Sequence, residues 1–400
     1  MTNGEYSAPP GIVQVRSRAL IAGVVGLGLC AIGAVVSPDH FFRAYLMAYL
    51  FWLGVSVGCL ALLMVQFLSG GDWGLVIRRP MEAATRTLPL LVALFVPLLF
   101  GLHRLYPWTD PEQVRESSVL QQKQVYLNLP FFYVRVLFYF LVWLALAYWL
   151  NKWSREQDEA QDPSIPSLIL RRLQILSGPG LLLYGLTVTF VGIDLVMSLE
   201  PEWFSTIFGM LIIAGQGLAA MSVMIVVLAA LSGRAPLAGV VSRKHSQDLG
   251  KLLLTFVMLW AYFSFSQLLI IWQGDLPNEI PWYLRRLNGE FRVVGILLIV
   301  FHFALPFMLL LSRDLKRHAN KLVVVAGLVI VMRFVDLFWL IAPEFTPGRL
   351  SLSWLYFVTP IGIGGVWIAY FLWQLAQRPL FPVHDPYMEA MLANLEEAEA

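Results

Sequence analysis

Residues 191–203 read VGIDLVMSLEPEW, and residues 333–345 read RFVDLFWLIAPEF. Each copy places one aspartate inside an apolar run and a Pro-Glu pair a few residues beyond it. Aligning Asp194 with Asp336 also aligns Leu195 with Leu337, Pro201 with Pro343 and Glu202 with Glu344. Trp203 then falls opposite Phe345, and Leu199 opposite Ile341. The correspondence predicts one structural unit used twice. A carboxylate inside a membrane helix is costly, so each copy needs a reason.

The membrane setting follows from composition. The chain has 400 residues, 58% hydrophobic and 14% charged, where soluble domains carry about 25% charged residues. It lacks the polar residues to cover a soluble surface. The net charge of +2 says little, because the placement of the positive charges matters more. Cys30 and Cys59 both lie in apolar runs and read as small core residues. Two cysteines exclude a disulfide framework, a four-cysteine zinc site and an iron–sulfur cluster, and no CxxCH haem motif is present. The polar residues 1–18 precede an apolar run that continues into further spans, which reads as a span and not a cleaved signal.

A bilayer core needs about 20 apolar residues per helix. On that basis the sequence predicts an all-α integral membrane protein with ten spans. They fall near 19–37, 44–68, 87–103, 131–150, 178–199, 204–231, 252–272, 293–312, 322–341 and 354–375. One set of connections holds Arg16, Arg18, Arg78, Arg79, Arg86, Lys152, Arg155, Arg171 and Arg172. The same side holds Arg234, Arg243, Lys244, Lys251, Arg313, Lys316, Arg317, Lys321 and Arg378. That is 18 positive charges against 8 on the other side, which puts both termini in the cytoplasm by the positive-inside rule.

The connections hold no soluble domain. Residues 104–130 read as an ordered outer cap, and KWSREQDEAQDPSIP after span 4 as a mixed-charge linker. The tail HDPYMEAMLANLEEAEA from His384 ends in an acidic, helix-like stretch with a solvated face. Other matches extend the duplication. A Leu-Ser-Gly ends both span 2 (Gly54 to Gly70) and span 6 (Gly217 to Gly233) at equal spacing, and LNLPFF (127–132) and LNGEF (287–291) precede spans 4 and 8. A shift of four helices preserves direction, so the repeat is parallel. The expected architecture is a single polytopic membrane domain of two four-helix bundles, 44–199 and 204–341. Spans 1 and 10 are peripheral, and 1–18 and 376–400 are cytoplasmic tails.

Intramembrane polar residues gather toward the outer half. They are Asp194 in span 5, Arg333 and Asp336 in span 9, Arg135 in span 4 and His302 in span 8. Span 7 adds Tyr262, Ser264 and Gln267. With Glu202 and Glu344 they could form a polar cavity that binds a small head group and passes protons, because buried Asp and His change protonation near neutral pH. The bland alternative is structural: Arg333–Asp336 and Arg135–Asp194 as ion pairs that lock helices, and His302 hydrogen-bonded between helices. No cation lies within one turn of Asp194, which makes it the less neutralised aspartate by local sequence. Membrane haem b needs paired histidines, and only His302 lies deep in a span. No metal constellation, nucleophile–base motif or phosphate loop is evident, and GxxxG spacing at Gly54–Gly58 reads as close helix packing.

Four long segments carry a family resemblance: FWLGVSVGCLALLMVQFLSGGDWGLVIRRPMEAA (51–84), VYLNLPFFYVR (125–135), GIDLVMSLEPEWFSTIFG (192–209) and AYFSFSQLLIIWQGDLPNEIPWYLRR (261–286). They resemble the ActF-type membrane subunit of bacterial alternative complex III, a quinol:electron-acceptor oxidoreductase. ActF belongs with the NrfD-like, polysulfide-reductase-type subunits, which share the double four-helix plan. The resemblance implies no redox cofactor in this chain, with haem and iron–sulfur clusters on partner subunits. Implied partners are an ActC-like sister subunit, an iron–sulfur subunit and multihaem cytochrome c, together with membrane lipids and no nucleic acid. Quinone (menaquinone or similar) is a family-level ligand. The expected location is the bacterial cytoplasmic membrane, and the expected role is support of quinol oxidation with proton conduction and no catalytic or metal-binding residue. A scaffold for the sister subunit and a stand-alone secondary transporter are the alternatives. A transporter usually shows inverted repeats and mid-membrane breaks.

Overall fold

The computed structural model describes residues 8–162, 164–233, 237–238, 240–382, 384–388 and 391. The expected N-terminal tail before residue 8, Arg234 and the acidic end of the C-terminal stretch lie outside them. Among the described residues the protein is 82% helical without strands. Ten helices are long and apolar enough to cross a membrane. They are α1 (Gly11–Val36), α2 (Pro38–Ser69), α3 (Arg78–Phe100), α4 (Leu129–Glu159) and α5 (Ile165–Leu195). The second five are α6 (Phe208–Ser232), α7 (Arg243–Gly274), α8 (Phe291–Leu311), α9 (Ala319–Ile341) and α10 (Leu355–Leu375).

Local chemistry sets several boundaries. Asn128 caps α4 by accepting from the Phe131 N–H at 2.9 Å, with Pro130 in the first turn where its missing N–H costs nothing. Ser242 and His245 form a reciprocal box at the start of α7. Gly70 ends α2 at φ 65°, a conformation that favours glycine. In α8 the stretch Leu298–Ala304 winds as π-helix. Pro306 follows it and cannot donate to the carbonyl of residue 302, so the regular ladder is interrupted there.

Burial orders the helices. The apolar windows of α2 and α6 are 78% and 83% buried, against 22% for α1, so α2 and α6 form the centre and α1 the rim. Close approach explains their contact: a Cβ on Gly58 would sit 2.5 Å from the Gln216 carbonyl oxygen. α5 and α10 pack on α2, α7 and α9 pack on α6, and α4 packs on α5. α1 lies along α10, where Gly23 and Gly26 meet Gly365 and Gly362 backbone to backbone.

The connections differ from expectation in two places. Residues 151–177 read as a linker, yet α4 continues to Glu159 and α5 starts at Ile165. Each has 31 residues, about 46 Å, so both project past a core about 30 Å thick. Residues 204–207 form a turn, and α6 begins at Phe208. The stretch 101–128 is an ordered cap of short helical turns, and it marks one end of the molecule, called here the cap end. At the other, tail end, Leu380, Phe381 and Met388 are buried against the helix ends.

Candidate functional site

Asp194 sits in the last turn of α5 and is 1% exposed. A carboxylate there needs partners, and α4 supplies two. Arg135 donates from Nε to Oδ2 and from Nη2 to Oδ1, both at 3.0 Å, and the Tyr139 hydroxyl donates to Oδ2 at 2.8 Å. Arg135 also donates to the Tyr126 carbonyl at 2.8 Å and lies 3.9 Å from the Tyr126 ring centre. Local sequence marked Asp194 as the less neutralised aspartate. The fold reverses this, because a cation 59 residues away faces it in bidentate geometry.

Asp336 is buried in α9, with Arg333 of the same helix and Trp260 of α7 as its partners. Arg333 pairs with its Oδ2, and Trp260 Nε1 donates to the same oxygen at 3.1 Å. Trp260 also packs edge-on against His302, ring centres 4.4 Å apart. His302 is fully buried, and neither ring nitrogen has a hydrogen-bond partner among the described residues, contrary to the expected hydrogen bond between helices. The packing is close: a Cβ on Gly215 of α6 would strike the Arg333 guanidinium. α6 packs on both α5 and α9, and the Asp194 and Asp336 networks share no partner among the described residues.

The Pro-Glu motif behaves unequally in its two copies. Glu202 is exposed, whereas the Glu344 side chain is only 5% exposed. The carboxyl that meets Glu344 comes from Glu200, two residues earlier, and sequence alignment could not see this. Arg285 and Arg286 of the helix Ile280–Leu287 complete the cluster. Arg285 Nη1 pairs with Glu200 Oε2 and lies 2.9 Å from Glu344 Oε2, and Arg286 Nη2 lies 2.6 Å from Glu344 Oε1. Arg286 stacks over the Trp282 ring at 3.5 Å, and Trp282 stacks on Trp203 with centres 4.4 Å apart. Burial, and then the adjoining Glu344 carboxyl, push Glu200 up to about 8 against the pull of Arg285. Burial also pulls the Arg286 guanidinium below its usual value, with Glu344 opposing.

The span-7 residues divide. Tyr262 is 62% exposed on the outer surface of the helix bundle, and Ser264 is half-buried. Gln267 is buried, accepting from the Ser205 hydroxyl at 3.1 Å and reaching the Tyr283 hydroxyl at 3.4 Å.

A second charged cluster, at the tail end, was counted by sequence only as loop charge. Arg78, Arg79 and Glu82 are 1%, 2% and 0% exposed at the start of α3. Glu82 meets Arg78 at 2.9 Å, Arg79 at 2.7 Å and the Ser154 hydroxyl at 2.6 Å. Arg79 pairs with Asp158 of α4, and Arg78 with Asp385 of the C-terminal segment. The signal that could have found this cluster is the i, i+3 and i, i+4 spacing of Arg78, Arg79 and Glu82.

The recesses beside these groups are small. The one lined by Asp194, Tyr139, Trp143 and Tyr49 measures about 10 Å³, and the one lined by Gln267, Ser205 and Glu279 about 70 Å³. The first holds about one water, and small-molecule sites run to about 300–1,000 Å³. These residues therefore do not fit a quinone ring in this conformation. Among the described residues no three His, Cys, Asp or Glu side chains converge as a metal site would require. What the arrangement offers is buried carboxylates held by cations, suited to locking helices or to holding and passing protons. No protein-family model matches the chain, and no curated protein matches it.

Proposed function

We propose that the chain is a multi-pass, ActF-type subunit of a quinol:electron-acceptor oxidoreductase of the alternative complex III kind. In this reading it carries protons while partner subunits carry electrons. It lies in the bacterial cytoplasmic membrane with both termini cytoplasmic, so the cap end faces outward. Quinol oxidation, haem and iron–sulfur chemistry belong to the sister and peripheral subunits; the recesses beside Asp194 and Gln267 are too small for a quinone ring, while the cap end carries a wider one of about 600 Å³ lined by Trp108, Arg115 and Leu127. The two parallel-repeat bundles are part of the same proposal.

One observation carries the proton reading. Along the cap-end part of α9 and the turn that follows it, ionisable groups recur: Arg333 and Asp336, then Glu344 beside Glu200. His302 adjoins the inner end of this series through Trp260. Eight residues separate Asp336 from Glu344, about 12 Å of helix, a gap that water molecules would have to bridge. Asp336 holds a proton arriving from the His302 side, and the Glu200–Glu344 pair delivers it outward. Asp194, gripped by Arg135 and Tyr139, locks α4 to α5.

The scaffold reading is favoured by the same tight pairing of Asp194. It keeps the complex and removes the proton route. A stand-alone transporter is a third reading, and purification in mild detergent separates it from the other two. Co-migration with haem-bearing and iron–sulfur subunits supports the complex, and a lone active protein contradicts it.

A further inference from the structure

We infer that Glu200 and Glu344 form a proton-sharing carboxyl dyad at the cap end, with Glu200 the protonated member, Glu344 the ionised one and Arg285 the cation that answers proton loss. The inference names an end point for the proton route and rests on that route only for its physiological use.

The geometry is specific. The two carboxyl groups meet on one shared guanidinium nitrogen, Arg285 Nη1. Two carboxylates in such contact repel strongly when both are charged, so one proton between them converts repulsion into a hydrogen bond. Arg285 Nη1 touches Oε2 of both groups, which brings those two oxygens together on one donor. The sequence supplies the partners from separate places: Glu200 after α5, Glu344 after α9, and the arginines before α8.

The surroundings decide which member carries the proton. Glu344 has two cations, Arg285 at 2.9 Å and the fully buried Arg286 at 2.6 Å. Arg286 is fixed by donation to the Trp282 carbonyl at 2.8 Å and the Leu340 carbonyl at 2.7 Å, and by stacking on Trp282. Among the described residues Glu200 pairs only with Arg285, whose side chain is 32% exposed and so is partly screened by water. Tyr283, the remaining titratable group of that helix, is neutral near pH 7 and reaches Gln267. Arg43 of α2 stacks on Phe345, 4.5 Å from its ring centre, next to Glu344 in the chain. Glu202 points to solvent. Glu344 is therefore the better-compensated carboxylate, and its Oε atoms accept the Glu200 proton. When Glu200 releases that proton outward, no covalent bond other than O–H breaks, and Arg285 neutralises the new charge.

The test is infrared difference spectroscopy of the detergent-purified protein, in its complex, titrated across neutral pH. The wild type is expected to show the carbonyl stretch of a protonated carboxylic acid at pH 7 and to lose it as pH rises through about 8. Glu200→Gln removes that band. Glu344→Gln removes the neighbouring charge and shifts the transition to lower pH. Arg285→Gln removes the compensating cation and shifts it higher, which keeps the test open if either glutamate variant misfolds. A band unchanged in Glu200→Gln overturns the dyad, as does a transition unmoved by both Glu344→Gln and Arg285→Gln. Loss of the band with proton release intact would instead refute the proton route and leave the dyad standing.

Discussion

Arg135 and Asp194, 59 residues apart in the chain, form a two-pronged ion pair with both nitrogen–oxygen distances at 3.0 Å. The pair ties α4 to α5 where both are short of the cap end, and Tyr139 adds a third bond to the carboxylate. Removing one partner of a buried pair leaves an uncompensated charge and costs about 3–5 kcal/mol. Asp194→Asn and Arg135→Leu should each lower the thermal stability of the purified protein substantially. The double variant should lose less than the sum of the two. Additive losses would show that the pair is not energetically coupled.

The centre of the molecule makes a sharper packing prediction. A Cβ at Gly58 would sit 2.5 Å from a backbone oxygen of α6, which cannot rotate away. Gly58→Ala should therefore destabilise by about 1–3 kcal/mol, the usual cost of overpacking. Gly28→Ala, where an added Cβ meets nothing within 4 Å, should be neutral or slightly stabilising. Chemical denaturation of the two variants side by side checks the contrast, and equal effects would contradict the close approach of α2 and α6.

Asp385 is 2% exposed and pairs with Arg78, which Glu82 also holds. Asp385→Asn should release the C-terminal segment from the helix ends while the spans stay folded. Hydrogen exchange at residues 380–388 should rise by at least about tenfold, because a broken buried pair is worth more than the 1.4 kcal/mol that tenfold requires. Unchanged protection would show that Leu380, Phe381 and Met388 hold the segment without the ion pair.

The pH dependence of stability has a definite sign. Glu200 has a folded-state value raised to about 8 from 4.5, so between those limits the folded protein holds a proton that the unfolded chain releases. The stabilising effect is complete below about 4.5 and is lost as pH rises through about 8. The melting temperature of the wild type should fall between about pH 4.5 and 8 more than that of Glu200→Gln, and level off above that window. Parallel pH profiles for the two proteins would exclude Glu200 as the source.

The ten spans were legible because apolar runs of about 20 residues have one reading in lipid. Their ends were less so. α4 and α5 continue past the bilayer on charged residues such as Arg155 and Arg171, where hydropathy gives no helix signal. Asp194, Asp336, Arg135 and Arg333 stood out as charges in apolar helices, and each is buried in an ion pair. Their pairing was legible only for Arg333 and Asp336, which share a helix. Arg135 needed the fold to meet Asp194. Glu202 was singled out by alignment with Glu344, yet a turn at residues 200–203 presents Glu200 inward instead. Tyr262 lay in a polar strip that helical periodicity splits between lipid and core. The buried cluster of Arg78, Arg79 and Glu82 looked like ordinary loop charge because its other two members, Asp158 and Asp385, come from distant parts of the chain.

The proton route stands or falls on Asp336. The most direct measurement is protons released per electron pair by the intact complex in sealed vesicles, wild type against Asp336→Asn. The account predicts that quinol oxidation continues while proton release drops. Undiminished proton release, at unchanged turnover, would contradict it.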